Sequence, residues 1–198
     1  MTKSKSTTTP PASLASTSAP VPQERDSASL PQTMRAWTHH LAGVPSTVLS
    51  LSPSLPLPNL PSPTSVLVRI SHASLAPGGS IMMQLCPSIF RTKPCIPELD
   101  FSGIIVEIGT NVPEARGMRV GMRVFGSVLV PAQLKGAGAL AEYVAVEAEG
   151  VVGLPVLRSG GGEGEMGMAK AAALGVSGAT ALVLMEEAQK KGLKAGMK

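Results

Sequence analysis

The amino-acid sequence predicts a mainly β protein: a small, curved or barrel-like β domain followed by a C-terminal helix. Short apolar runs with a period of two recur between glycine and proline turns. Glycine (21 residues) and proline (18 residues) are too frequent for a helical bundle, while 43% apolar residues are enough to fill a core. A helical period enters only near the end, where Ala181, Leu184, Met185 and Ala188 fall at i, i+3, i+4 and i+7. Aromatic residues make up only 3%, so the core rests on Val, Leu, Ile, Ala and Met.

Residues 1–33 are Ser, Thr, Pro and Ala without hydrophobic period, too polar to offset their ordering entropy, and are expected to form a disordered tail. A strand-like run begins at Met34-Arg35-Ala36-Trp37. Pro53, Pro56, Pro58, Pro61 and Pro63 then predict an extended loop without sheet pairing. In Val66-Leu67-Val68-Arg69-Ile70 the first, third and fifth residues share one face, which predicts a strand with a buried side. Phe101–Gly109, Arg123–Val128 and Ala141–Val146 continue the pattern, giving a β domain over residues 34–156. Residues 157–167, with Gly160-Gly161-Gly162-Glu163-Gly164, read as a flexible glycine-rich linker. In the helix that follows, Ser177 is the expected cap. Glu186–Lys190 and Glu187–Lys191 are expected i,i+4 ion pairs, and Gly192 is the expected stop.

The net charge of +4 comes from scattered Lys and Arg, and with so few stacking aromatics it argues against nucleic-acid binding. Two cysteines, Cys86 and Cys95, are too few for a disulfide framework, so a reducing compartment is expected. No apolar run reaches membrane-spanning length, and the N-terminus lacks a secretory pattern. The expected location is the cytoplasm. The Ser/Thr-rich N-terminus leaves a mitochondrial address as the weaker alternative.

Four segments carry a family resemblance. Val66–Ile70 through Ser74-Leu75-Ala76-Pro77 is similar to a first core strand and the loop into an active site. Asp100-Phe101-Ser102-Gly103-Ile104-Ile105-Val106-Glu107-Ile108-Gly109 is similar to the strand that follows an acidic residue. Gly121-Met122-Arg123-Val124-Phe125-Gly126 resembles a G-D-R-V-x-G turn, with Met122 in place of the aspartate, and Gly138-Ala139-Leu140-Ala141-Glu142-Tyr143 resembles G-x-x-A-E-Y. With Ala171-Ala172-Ala173-Leu174 and Thr180-Ala181 behind them, this order resembles the GroES-like N-terminal domain of the medium-chain dehydrogenase/reductase superfamily. The closer match is to its zinc-free quinone oxidoreductase and enoyl reductase branch. The resemblance implies a partly open barrel, with residues 168–198 as hinge helices and the start of a nucleotide-binding domain. It further implies a chain truncated before the Rossmann glycine motif.

The same resemblance sets the chemical expectations. Ala76, Leu99 and Val176 stand where the zinc branch has its ligands, and none can coordinate a metal, so no zinc is expected. Cys86, Cys95 and His72 have the wrong spacing for a site of their own. A complete relative would use NADPH on a small carbonyl or quinone substrate. Thr180 is the implied nicotinamide contact, or a hydroxyl bonded back to its own helix. Tyr143 offers a titratable hydroxyl or a packed sheet residue, and Asp100 an active-site wall or a structural hydrogen bond. Glu98 and Leu99 depart from the small residues usual before Asp100. The glycine-rich run follows no strand and holds carboxylates, so it is no phosphate loop. No tight NADPH binding is expected of these residues alone. The competing expectation is a non-catalytic β module, self-associating through its exposed C-terminal helix.

Overall fold

The computed structural model describes residues 30–85, 88–159, 162–192 and 196. The chain divides into Met1–Leu30 and Pro31–Lys198. The expected disordered tail lies outside the described residues as far as residue 29. Its last positions already belong to the fold. Thr33 opens strand β1 (Thr33–Thr38), and the Gln32 carbonyl accepts the Leu57 N–H at 3.0 Å.

A single helical turn, α1 (Pro45–Val48), connects β1 to β2 (Ser50–Pro56), which runs antiparallel to it. This corrects the expectation of an unpaired proline-rich loop as far as Pro56; Pro58, Pro61 and Pro63 lie outside the strands. The register slips between Met34 and Ala36, so that Pro53 and Ser54 together oppose Arg35. A proline lacks an N–H to give, and at such a bulge in an edge strand none is required.

The main sheet is antiparallel and open, in the order β6-β3-β4-β5-β7. Its strands are β3 (Ser65–Ala73), β4 (Asp100–Ile108), β5 (Arg123–Ser127), β6 (Tyr143–Glu147) and β7 (Val151–Gly153). Helix α2 (Pro77–Leu85) follows β3, and the short α3 (Val130–Leu134) follows β5. Alternation puts Val66, Val68, Phe101, Ile105, Val124, Val144 and Val146 into one core. Leu67 is fully buried as well, so the first half of β3 is covered on both faces, not on one as its pattern predicts. A smaller cluster of Met34, Ala36 and Ile96 includes the half-buried ring of Tyr143, which is therefore a packing residue.

Polar contacts join the sheets. Ala36 bridges Ala141, and Glu142 receives the Arg35 N–H and Nε–H at 2.8 Å each. Thr64, Ser62 and Ser65 hydroxyls converge on the Glu147 carboxylate and hold it below the usual carboxylate range. In the tandem repeat Gly117–Val120 and Gly121–Val124, both glycines take left-handed φ (60° and 85°). The second copy supplies the strand.

The expected linker pairs with itself. β8 (Val156–Ser159) and β9 (Gly162–Glu165) form an antiparallel hairpin, because the chain on each side of Gly160-Gly161 is extended enough to exchange backbone hydrogen bonds. Two helices follow, α4 (Met168–Ala171) against β3 and β4, and α5 (Val176–Lys190). Gly192 ends α5 at φ 83° as expected. Lys190 pairs with Glu187 at i,i+3, 2.7 Å apart, and not with Glu186. Among the described residues no helix is long and apolar enough to cross a membrane.

Candidate functional site at the start of strand β4

The start of β4 gathers the loop after β3 and the hinge helices. Asp100 and Ser102 are two residues apart, so they project from the same face of the strand. The Ser102 hydroxyl donates to the Met168 carbonyl at 2.7 Å and fastens α4. The Asp100 carboxylate accepts the Val176 N–H at 2.8 Å and, more weakly, the Ser177 N–H at 3.5 Å. The Asp100 backbone carbonyl also accepts the Ser74 N–H at 2.9 Å. One strand end thus holds the active-site-type loop and the first turn of α5.

This arrangement corrects the expected Ser177 cap. Ser177 lies inside the first turn, and the residue preceding the helix is Gly175, which has no side chain to cap with. A Cβ on Gly175 would fall 2.5 Å from the Asp100 carboxylate oxygen. The missing cap is therefore supplied from β4, and the carboxylate stands at the positive end of the α5 dipole.

Glu98 makes the companion contact. It is 5% exposed, and its carboxylate accepts the Ala76 N–H at 3.0 Å. Burial, outweighing that hydrogen bond and reinforced by the nearby Asp100 charge, pushes its carboxyl above the usual range. Of the positions compared with zinc ligands, Val176 is joined to β4 at Asp100, and Ala76 to Glu98 in the loop before it, by these backbone hydrogen bonds. Leu99 packs on the main core and accepts the Val128 N–H through its carbonyl at 2.9 Å. None of the three carries a donor atom for a metal. Among the described residues no group of three or more His, Cys, Asp or Glu is placed to hold one. Of the imagined trio, Cys86 lies outside the described residues, His72 is exposed on β3, and the Cys95 thiol donates to the Thr92 carbonyl at 2.9 Å.

Thr180 is exposed on α5, one turn beyond Val176, beside a shallow hollow of about 310 Å³ shared with Ala179, Val183 and Leu184. A separate groove of about 400 Å³ runs past Trp37, Leu51, Ile70, His72 and Leu140 and shares no lining residue with the Asp100 cluster. Sequence reasoning noticed Glu98 as a departure but missed its contact. The signal was a glutamate where small residues are usual.

Residues 62–156 match the alcohol dehydrogenase GroES-like domain. That segment carries a GroES-like domain of the medium-chain dehydrogenase/reductase type. It is similar to the trans-enoyl reductase poxH of Penicillium oxalicum, 29% identical over 143 residues, covering 62% of this chain and 35% of that protein. Among solved structures it is similar to the quinone oxidoreductase of Coxiella burnetii, with a TM-score of 0.61 and 25% identity, covering 79% of this chain and 45% of that one. It also shares its fold with the Escherichia coli quinone oxidoreductase solved with NADPH, with a TM-score of 0.55 and 18% identity, covering 76% and 40% of the two chains. The chain therefore spans about a third of the length of the trans-enoyl reductase it matches. The proteins it is similar to include enoyl and quinone reductases.

Proposed function

We propose that this chain is the substrate-side domain of a zinc-independent, NADPH-dependent reductase acting on a conjugated carbonyl or a quinone. The observation that carries the reading is the start of β4 and the loop before it, where Asp100 and Glu98 hold Val176 and Ala76 by their backbone N–H groups. Positions that would ligate zinc in a dehydrogenase here carry only alkyl side chains. A reducing, cytoplasmic setting accompanies this reading.

The fit to NADPH is partial. A pyrophosphate needs free amides at a helix N-terminus. In the two longest described helices that end is already met by a carboxylate, Asp100 at α5 and Glu98 beside α2. These residues do not form a pyrophosphate cradle, and Thr180 is the one contact we assign to the nicotinamide end. The 198 residues alone are accordingly expected to bind NADPH more weakly than about 1 mM and to reduce neither a quinone nor an enone. Nucleotide fluorescence and NADPH consumption measure both, and micromolar saturation would contradict the reading. A non-catalytic β module is the competing reading, favoured by the same lack of a cradle. The coding sequence beyond Lys198 separates the two, since only a reductase requires a strand and a glycine-rich turn there.

Helix α5 exposes Leu182, Val183, Leu184 and Met185, while Ala188 is half-buried. Apolar exposure thus runs around the helix, past the stripe read from the sequence. We propose self-association through this helix. Sedimentation velocity is expected to show concentration-dependent dimers that Leu184→Glu abolishes; a wild-type chain that stays monomeric at high concentration would sink the idea.

A further inference from the structure

Glu98 is the one non-glycine residue with left-handed φ (66°) among the described residues. Such a backbone persists only where its surroundings impose it. Here they do: Ala139 N–H donates to the Glu98 carbonyl at 3.0 Å, and Leu140 N–H to the Pro97 carbonyl at 3.2 Å. The strain delivers a carboxylate to one place. Ala76 stands immediately before α2, and Gly79 is the third residue of that helix. In an ordinary capping box a glutamate at the third position reaches back to the N–H of the residue before the helix. Gly79 has no side chain, and the Cβ it lacks would fall on the Glu98 carboxylate. Glu98 thus fills the space of that absent side chain and accepts the Ala76 N–H in its stead.

We propose that Glu98 is a positioning residue that caps α2 from the loop preceding β4 and fixes the loop Ser74–Pro77 at the site. This deepens the reductase reading, which is what places that loop beside the substrate. The contact is also pH-responsive. Its ionised form is the stronger acceptor; the Asp100 charge acts on it, and Arg91 and His39 line the small cavity that Gly79 and Pro97 share with them. Neither Ser74–Pro77, nor α2, nor Ala137–Leu140 contains an ionisable side chain. Because the folded carboxyl titrates above 4.5, its contribution to stability is complete below that value and is lost as pH rises through the folded pKa.

Amide NMR of the whole chain tests this without any activity. In the wild type the Ala76 signal is expected to titrate with a midpoint above 4.5, and in Glu98→Gln it should lose that titration. Glu98→Gly removes the carboxylate and the backbone strain together, so the fold survives while Ala76 and Gly79 exchange faster by roughly tenfold or more. Protection of Val68 and Phe101 should stay unchanged. An Ala76 amide indifferent to pH and to both substitutions would overturn the proposal, as would a uniform fall in protection across the core. Whether the chain reduces anything does not enter either outcome.

Discussion

Asp100→Ala is expected to release the first turn of α5 from the main sheet and to cost about 2 kcal/mol. The carboxylate is buried and satisfies two N–H groups at the helix start, Val176 at 2.8 Å and Ser177 at 3.5 Å. Alanine leaves both without a partner on the protein, and Gly175 offers no replacement. Water can reach the exposed Val176 and Ser177, which keeps the cost below that of a fully buried orphan. Asp100→Asn retains an acceptor but loses the charge facing the helix dipole, so it should lose about half as much. Urea unfolding measures the stability, and amide exchange at Val176 to Ala179 locates it. Protection of that turn unchanged in Asp100→Ala would show that the helix is held by something else. The functional consequence follows from geometry. Thr180 is one turn further along the same helix, so whatever orients α5 orients the proposed nicotinamide contact.

How much of this was legible in the sequence depends on how far each interaction reaches. Alternation at Val66 and Val68, and again at Val144 and Val146, reports which side chains face the core, because the period belongs to the strand itself. Helix α5 was legible for the same reason, including its stop at Gly192. Partners were not. The carboxylate that caps α5 is 76 positions from Val176, and Glu98 is 22 positions from Ala76, beyond any local pattern. Local reasoning therefore gave the cap to Ser177, the nearest hydroxyl. It also treated Pro53 as a barrier to pairing, whereas the barrier applies only to a position whose N–H is required. β2 escapes because its bulge places Pro53 where none is. The glycines of residues 160–164 suggest flexibility, yet Gly162 and Gly164 lie in a paired strand, and composition does not choose between the two.

Gly103→Ala is expected to have the largest effect on the fold, about 3 kcal/mol or more. The position is central in β4, paired with Ile70 on one side and Val124 on the other. A Cβ there would fall on the Arg69 carbonyl oxygen, 3.0 Å from its carbon and 2.6 Å from a methyl of Val68. The methyl can rotate, but the carbonyl belongs to the backbone of the neighbouring strand. Relief requires β3 and β4 to part, and β3 is already irregular there, its register shifting between Ile70 and His72. That opening would also loosen Asp100 and Ser102, the residues that fasten α5 and α4. Gly117→Ala is the control, because a Cβ at Gly117 meets nothing within 4 Å and only its left-handed φ of 60° opposes the change. Its cost should be about 1 kcal/mol. Urea midpoints of the two variants compare a close approach with a backbone preference directly. If Gly103→Ala were no worse than Gly117→Ala, the β3–β4 register, and with it the placement of Asp100 beneath the hinge, would be wrong.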